Sequence, residues 1–437
     1  MLRCPGWLLL LPMLLLAGSV PADDRPTVVV TDPSATAYRV ALQTFADRTL
    51  DPVRVKTLRV EVAAALEFSG LFQVIDPAAF LGPATTGSFD DRVVCGDWSQ
   101  IRADALVQGE VRLEAGRLVV EYRVIDVARA CRSLRRHRYR GKPGDVVKVG
   151  RRVADDIVAA FTGQPGVAST EIAFVSNQSG SPEIHVMDAT GGRSRPITTA
   201  GSINQFPSWH PNGQEIVYTS YRDGGRPHIF VLARVGHSGR ILRALDAGQS
   251  HYRAVFEPKG DRLALVAKAD GASELFTVAR SGRQLRRLTK NRAIDISPTW
   301  SPDGRRIAFV SDRSGSPQIY VMSREGVTVR RITFNGGYNT SPAWSPDGRW
   351  IVYEARVGGQ FDLWLVDPDG DTNVPLVSHP RSDEGPSWSP DGRKVVFSSS
   401  RRGSHDLYRV DLSGGNLVRL TRGRGDEKSP SWGPYPR

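Results

Sequence analysis

SPTWSPDGRRIAFV (Ser297–Val310), SPAWSPDGRWIVYE (Ser341–Glu354) and GPSWSPDGRKVVFS (Gly385–Ser398) are three versions of one motif, with tryptophans at Trp300, Trp344 and Trp388, each 44 residues from the next. The same step forward reaches Trp432 in SPSWGP. Backwards it reaches Phe256 in AVFEPKGDRLALV, and a step of 47 then gives Trp209 in PSWHPNGQEIVYT. A fixed period of this size marks a repeat architecture. Within one period, a run ending in Trp300 meets the turn Ser301-Pro302-Asp303-Gly304. It is followed by Ile307–Val310, a loop with Gly315 and Pro317, Ile319–Met322, a turn at Gly326 and a run from Val329 to Thr333. Four short β-rich runs separated by turn residues predict a four-stranded antiparallel meander. The runs are apolar on both faces, so one sheet cannot satisfy itself; neighbours must stack and the array must close.

The ends of the repeats give the number of sheets. Six turn-opening strands end at Trp209, Phe256, Trp300, Trp344, Trp388 and Trp432, and six outer strands end at Thr198, Leu245, Thr289, Thr333, Val377 and Thr421. The first repeat begins at Ile172 without a tryptophan strand, and the last consists of that strand alone, Ser429–Trp432. Closure therefore gives the C-terminal strand to the first repeat. The expected fold is a small N-terminal α/β domain followed by an all-β six-bladed β-propeller closed by the C-terminal strand. Tryptophans filling the layers between blades and Asp-Gly pairs making turns account for the repeated motif as scaffold.

Residues 1–22 read as a signal peptide: Arg3, the apolar run Leu8–Leu16, and the small-residue site Val20-Pro21-Ala22. LLAGS (Leu15–Ser19) is like a lipoprotein signal, but Ser19 stands where the lipid-bearing cysteine would be. An exported, unlipidated chain beginning near Asp23 follows, with no transmembrane segment after cleavage. The formal charge of +12 at pH 7 suits nucleic acid in principle. In an exported chain it points instead to an anionic envelope surface, an acidic protein partner or simple solubility. Cys95 and Cys131 remain after cleavage, either as a disulfide or as two separate buried thiols.

Residues 23–163 lack the rhythm. PTVVVTD reads as a strand and Val53–Ser69 as a helix ended by Gly70. LFQVID is a strand, and the stretch from Ala103 to Val127 is a hairpin turning near Ala115-Gly116. RSLRRHRYR is a further strand, and Val146–Phe161 a closing helix. Residues 164–170 read as a linker and 171–437 as the propeller. The cluster Arg132, Arg135, Arg136, His137, Arg138 and Arg140 is either a patch for an anionic partner or an edge strand kept soluble by charge.

Signal peptide, small α/β domain and WSPDG propeller together resemble the TolB family, periplasmic components of the Tol–Pal system of Gram-negative bacteria. LRVEVAAALEFSGLFQVID (Leu58–Asp76), ALVQGEV (Ala105–Val111) and SPSWGPY carry the resemblance most specifically. It implies a periplasmic, non-enzymatic, monomeric binding protein without cofactor or metal, serving outer-membrane integrity and constriction during cell division. Its implied partners are the lipoprotein Pal, at one mouth of the propeller channel, and TolA, at the mature N-terminus. Other outer-membrane proteins and peptidoglycan-associated lipoproteins extend that range. The segment matching the TolA-binding stretch contains Asp23, Asp24, Arg25, Thr27, Val28, Val29, Val30 and Asp32.

Three residues before each strand's proline, or Ala254, stands a polar residue: Asn204, His251, Asp295, Asn339, Asp383 and Glu427. By symmetry these six form a ring. With Gln205, Tyr252, Thr340 and Glu384 they are expected to make the Pal-facing rim, the alternative being hydrogen bonding to neighbouring turns. Two other classes share part of this pattern. A peptidase of the prolyl-oligopeptidase type needs a G-x-S-x-G elbow, which is absent. No H-E-x-x-H, C-x-x-C or P-loop occurs either. A sugar- or peptide-binding envelope propeller shares the fold and differs only in its ligand.

Overall fold

The computed structural model describes residues 37–49, 51–87, 93–129, 131–192, 194–234, 240–241, 250–423 and 425–436. The signal peptide, the segment Asp23–Asp32 and Leu245 lie outside them. The described N-terminal domain opens with β1 (Tyr38–Leu42) and β2 (Ala46–Arg48), followed by α1 (Pro52–Ser69) and β3 (Phe72–Val74). A short helix α2 (Cys95–Gln100) precedes the strands β4 (Ala105–Glu114), β5 (Arg117–Asp126) and β6 (Arg132–Gly141), and α3 (Val146–Thr162) closes the domain. The sheet order is β3-β1-β4-β5-β6, with β2 also pairing β4. Asp51 caps α1 by accepting from the Arg54 N–H, and Gly70 ends it in the left-handed region at φ 77°. The β4–β5 hairpin turns through Ala115 and Gly116, both at positive φ, as a two-residue hairpin requires. Cys95 and Cys131 are disulfide-bonded, Cα atoms 6.0 Å apart.

Six four-stranded antiparallel sheets follow. Five are continuous in sequence. In the sixth, Glu427–Trp432 pairs with Glu171–Ser176, which continues into Glu183–Asp188 and Arg195–Pro196. The C-terminal strand thus closes the ring. Trp432 donates its indole N–H to Thr170 Oγ1 at 2.8 Å, and the Gly433 N–H bonds to the Glu171 carbonyl at 2.8 Å.

The repeated motif is scaffold, as its chemistry predicts. Ser301 Oγ donates to Asp303 Oδ1 at 2.5 Å and accepts the Arg306 N–H at 2.9 Å, while Asp303 accepts the Arg305 N–H at 3.0 Å. Gly304 turns the chain at φ 69°. The same arrangement recurs at Ser345/Asp347 and Ser389/Asp391. Each tryptophan packs between blades: Trp209 against Ala173 and Val186, Trp344 against Ala308 and Val321, Trp388 against Val352 and Leu365.

The outer-strand threonines have a role that spacing alone did not disclose. Thr198, Thr289, Thr333 and Thr421 each accept, through Oγ1, a backbone N–H from the third strand, at 2.8–2.9 Å. This ties the two-residue outer strand to its neighbour where few ladder bonds exist.

The stretch expected to be a linker, 164–170, is packed rather than loose. Val167 and Ala168 are buried, and the Asp155 carboxylate accepts the Ala168 and Ser169 N–H groups at 2.8 and 2.9 Å. Burial nonetheless pushes the Asp155 carboxyl up to about 6. One apolar cluster runs without interruption from Leu58, Leu66 and Val153 through Val167 into Phe174, Val396, Leu407 and Trp432. At its margin the Phe68 ring of α1 lies under the Arg409 guanidinium (4.5 Å) and Lys394 Nζ (5.6 Å), and Lys394 pairs with Asp411 at 2.5 Å. Arg151 joins Asp188 of the propeller at 2.7 Å and Glu61 of α1 at 3.5 Å. Lys394 and Asp411 face each other in register beside the Trp388–Val395 pair. The N-terminal domain therefore sits at the tryptophan end of the innermost strands, and the other mouth of the channel is clear of these contacts.

Candidate interaction site at the propeller mouth

The six innermost strands are Asn204–Trp209, His251–Phe256, Asp295–Trp300, Asn339–Trp344, Asp383–Trp388 and Glu427–Trp432. Each carries a bulge: the pairing register shifts between its second and fifth residues. The third residue of each strand has positive φ: Phe206 52°, Arg253 55°, Ser297 56°, Ser341 49°, Gly385 64° and Ser429 50°. Five of these six are not glycine, an unusual demand on L-residues that recurs with the fold's symmetry.

The predicted ring residues begin these strands, but they do not form an exposed rim. Asn204, Asp295, Asn339 and Asp383 are 0% exposed, Glu427 1% and His251 2%. Many of their polar atoms hydrogen-bond inside the blades. Asn204 Nδ2 donates to Glu183 Oε2 (2.8 Å), and Asn339 Nδ2 to Gln318 Oε1 (2.8 Å). Asp295 accepts from Arg313 Nη2 through both oxygens (3.1 and 3.0 Å) and from Asn291 Nδ2 (2.7 Å), and Asp383 accepts from Arg401 Nη2 through both oxygens (2.9 and 3.1 Å). Glu427 accepts from Ser176 Oγ (3.1 Å) and Gln178 Nε2 (2.7 Å), and burial pushes its carboxyl up to about 7. The bonds run mostly to residues of neighbouring strands rather than to solvent.

The exposed side chains lie one residue earlier. Ile203 is 43% exposed, Ile294 49% and Tyr338 38%, each immediately preceding a ring residue, and Phe334, four residues before Tyr338, is 66% exposed. Alternation along a strand turns adjacent side chains to opposite sides, so a ring buried for hydrogen bonding sets its predecessor outward. The sequence signal was present: isoleucine or tyrosine just before a buried polar residue in three of six repeats.

Gln205, Tyr252, Thr340 and Glu384, the other predicted rim residues, are half-buried. Tyr252 shares a hydrogen bond with Ser273 (3.1 Å), and Glu384 lines the channel. Glu384 Oε2 lies 3.1 Å from His405 Nε2, whose Nδ1 is 3.3 Å from Asp426. The imidazole contact holds the Glu384 carboxyl below the ordinary range despite burial, and the His405 backbone N–H does the same for Asp426.

Below the mouth, a cavity of about 430 Å³ is walled by residues of all six innermost strands, together with Glu354 and Ser398. Among the described residues no group of three or more His, Cys, Asp or Glu side chains is arranged to hold a metal ion. The arginine cluster lies elsewhere, on the edge strand β6, and is largely answered within its own sheet. Arg136 and Arg138 pair with Glu121 (both 2.8 Å), Arg140 with Glu114 (3.2 Å) and Arg135 with Asp156 (3.2 Å).

A six-bladed propeller carrying a small α/β domain on one end and an open, apolar-studded mouth on the other defines the class. Comparison with known proteins gives the family. A model described as the TolB beta propeller domain matches residues 158–436, and one described as the TolB amino-terminal domain matches residues 26–132. This chain belongs to the TolB family. It is 38% identical over 280 residues to the Tol-Pal system protein TolB of Anaeromyxobacter dehalogenans (strain 2CP-C), covering 64% of this chain and 63% of that protein. It is 32% identical over 296 residues to the Protein TolB homolog of Chlorobium chlorochromatii (strain CaD3), covering 67% and 66%. The chain thus spans less than two thirds of the length of these curated relatives. The crystal structure of TolB from Acinetobacter baumannii superposes with a TM-score of 0.76 at 25% identity, covering 92% of this chain and 97% of that one.

Proposed function

We propose that this chain is an exported, periplasmic interaction component of the Tol–Pal system, binding partners rather than catalysing a reaction. Its relatives bear the name Tol-Pal system protein TolB, which supports the assignment to that system. Within it, the chain docks the lipoprotein Pal at the open mouth and TolA through Asp23–Asp32, coupling the two in the upkeep of the outer membrane and its constriction at division. The observation that carries the reading is the mouth itself, where Ile203, Ile294, Phe334 and Tyr338 stand exposed around the channel end that the N-terminal domain leaves clear. Large apolar and aromatic side chains clustered at such a position mark protein interfaces.

The test is binding of purified Pal to the double variant Ile294→Asp/Tyr338→Asp. Two desolvated contacts of this kind cost at least about tenfold in affinity when lost, with the fold retained and only the edge-on contact of Tyr338 with Phe361 given up. Unaltered affinity in the folded double variant would refute the site. Recovery of other ligands but no Pal from detergent-solubilised envelopes would instead favour a sugar- or peptide-binding propeller.

A further inference from the structure

One channel side chain has chemistry that the scaffold does not use up. Of the six residues at the bulge position, four are small (Ser297, Ser341, Gly385, Ser429) and one is Phe206; the sixth, Arg253, sends a guanidinium into the cavity. Its Nη2 donates to Ser341 Oγ at 3.1 Å, two blades away, and its plane lies 4.8 Å from the Phe206 ring. A guanidinium has five N–H donors in a planar fork. Among the described residues Arg253 has no carboxylate within ion-pair distance, whereas Arg287, Arg313, Arg401 and Arg419 each have one. Burial lowers its pKa without bringing it near neutrality as a matter of chemistry, so the group stays charged.

A second, independent observation lies in the same layer. Ser297, at the equivalent position of the next blade, is only 3% exposed, and its buried Oγ has no hydrogen-bond partner among the described residues. A buried hydroxyl without a partner and a guanidinium with donors to spare, lining one cavity, are two donors open to an acceptor. Glu354 is coupled to Arg253 by charge and through Ser341 but stays beyond ion-pair distance, so it competes for the guanidinium without closing on it. Its Oε1 is taken by the Gly385 N–H at 2.6 Å, and burial pushes its carboxyl up to about 7, so its negative charge is only partly present near neutrality. Glu384 is engaged by His405, and Lys428 adds a further positive charge to the lining.

We infer that the propeller channel is an anion site for a single carboxylate, gripped by the Arg253 guanidinium and the Ser297 hydroxyl. A carboxylate fits better than a phosphate dianion, because the planar fork takes two parallel N–H···O bonds and only one unpaired cation lies at that depth. The carboxylate has two sources, a free small acid or an acidic side chain presented by a protein at the mouth. The site requires neither a Tol–Pal partner nor the apolar rim, so it stands apart from the functional reading above.

The test is a titration of the full chain with sodium acetate at constant ionic strength, followed by calorimetry and by the Arg Nε–Hε signals in NMR. Chloride and inorganic phosphate serve as comparison anions. Saturable one-to-one acetate binding is expected, weakened at least about tenfold in Arg253→Met and several-fold in Ser297→Ala, and tightened in Glu354→Gln, which removes the competing carboxylate. The Glu354→Gln arm keeps the test decisive should Arg253→Met fold poorly. An acidic peptide that competes with acetate would identify the side-chain source; lack of competition would identify the free acid. Absence of saturable acetate binding, equal binding in folded Arg253→Met, or unchanged binding in Glu354→Gln would each overturn the inference.

Discussion

Deleting Lys428–Arg437 removes the strand that closes the ring, and the structure lets its cost be worked out. Trp432 is 6% exposed within the cluster that joins both domains. Truncating a buried aromatic of this size costs about 3–5 kcal/mol. The deletion also removes the Trp432 indole bond to Thr170, the Trp432 N–H bond to Ser387 Oγ (3.0 Å) and the Gly433 bond to Glu171. Each contributes about 1 kcal/mol net, and more where a buried partner is left unsatisfied. The total, about 6–8 kcal/mol, is a large part of the roughly 5–15 kcal/mol that holds a typical fold together. It also leaves Glu171–Ser176 as an unpaired edge. Circular-dichroism melts with limited proteolysis should show a lowered, broadened transition and cleavage near residues 171–196. Trp432→Ala alone, which loses the aromatic and its indole bond, should cost about 4–6 kcal/mol, roughly two thirds as much. An unchanged melting curve for the deletion would refute the closure.

Two further outcomes follow from the buried ring and from the raised carboxyls. Asp383→Lys with Glu427→Lys places two cations at sites that are 0% and 1% exposed, one of them opposite Arg401; disrupting a buried pair costs about 3–5 kcal/mol, so this variant should unfold in urea well before wild type, and a wild-type midpoint would contradict the burial of the ring. Glu354, raised from 4.5 to about 7, holds its proton in the native state but not in the unfolded chain between those values, so it stabilises below about 4.5 and that contribution is lost as pH rises through 7. The buried His185 and His210, whose pKa values burial lowers, act in the opposite sense below 6.5. The clean readout is therefore the stability difference between Glu354→Gln and wild type, which should grow in the variant's favour from pH 5 to pH 8; a difference independent of pH would be the contrary result.

The repeated motif made six blades, their closure and the scaffold role of Trp300 or Asp303 legible, because those depend on local turn chemistry and on a period that symmetry enforces. The N-terminal helix at Val53–Ser69 and the hairpin at Ala115-Gly116 were legible for the same local reasons. The direction of the ring residues was not. Asn204 and Asp383 look alike whether they face solvent or a neighbouring blade, and the choice rests on Glu183 and Arg401, partners about 20 residues away in sequence. Residues 164–170 carry the glycine and proline of a linker, yet Asp155 gathers their backbone N–H groups into the core. Composition reports what a segment can do, while burial depends on what happens to be opposite it. Arg253 was hidden for a related reason: nothing local distinguishes a channel arginine from a surface one until the bulge turns it inward.

The closing strand also sets a constraint on the order in which the ring can form. Glu427 meets Ser176 across 251 residues, and Trp432 meets Thr170 across 262. The three outer strands of that blade lie five blades ahead of the fourth in the chain, so they can be completed only after the C-terminus has arrived in the compartment where the exported chain folds. Until then they present an unpaired edge and an uncovered apolar face, the features that recruit wrong partners. Contacts this distant in sequence also slow folding, because a long loop must close before they form. Phe174 and Met187 pack against the N-terminal domain. The small domain thus covers one side of the blade whose closure spans the greatest length of chain.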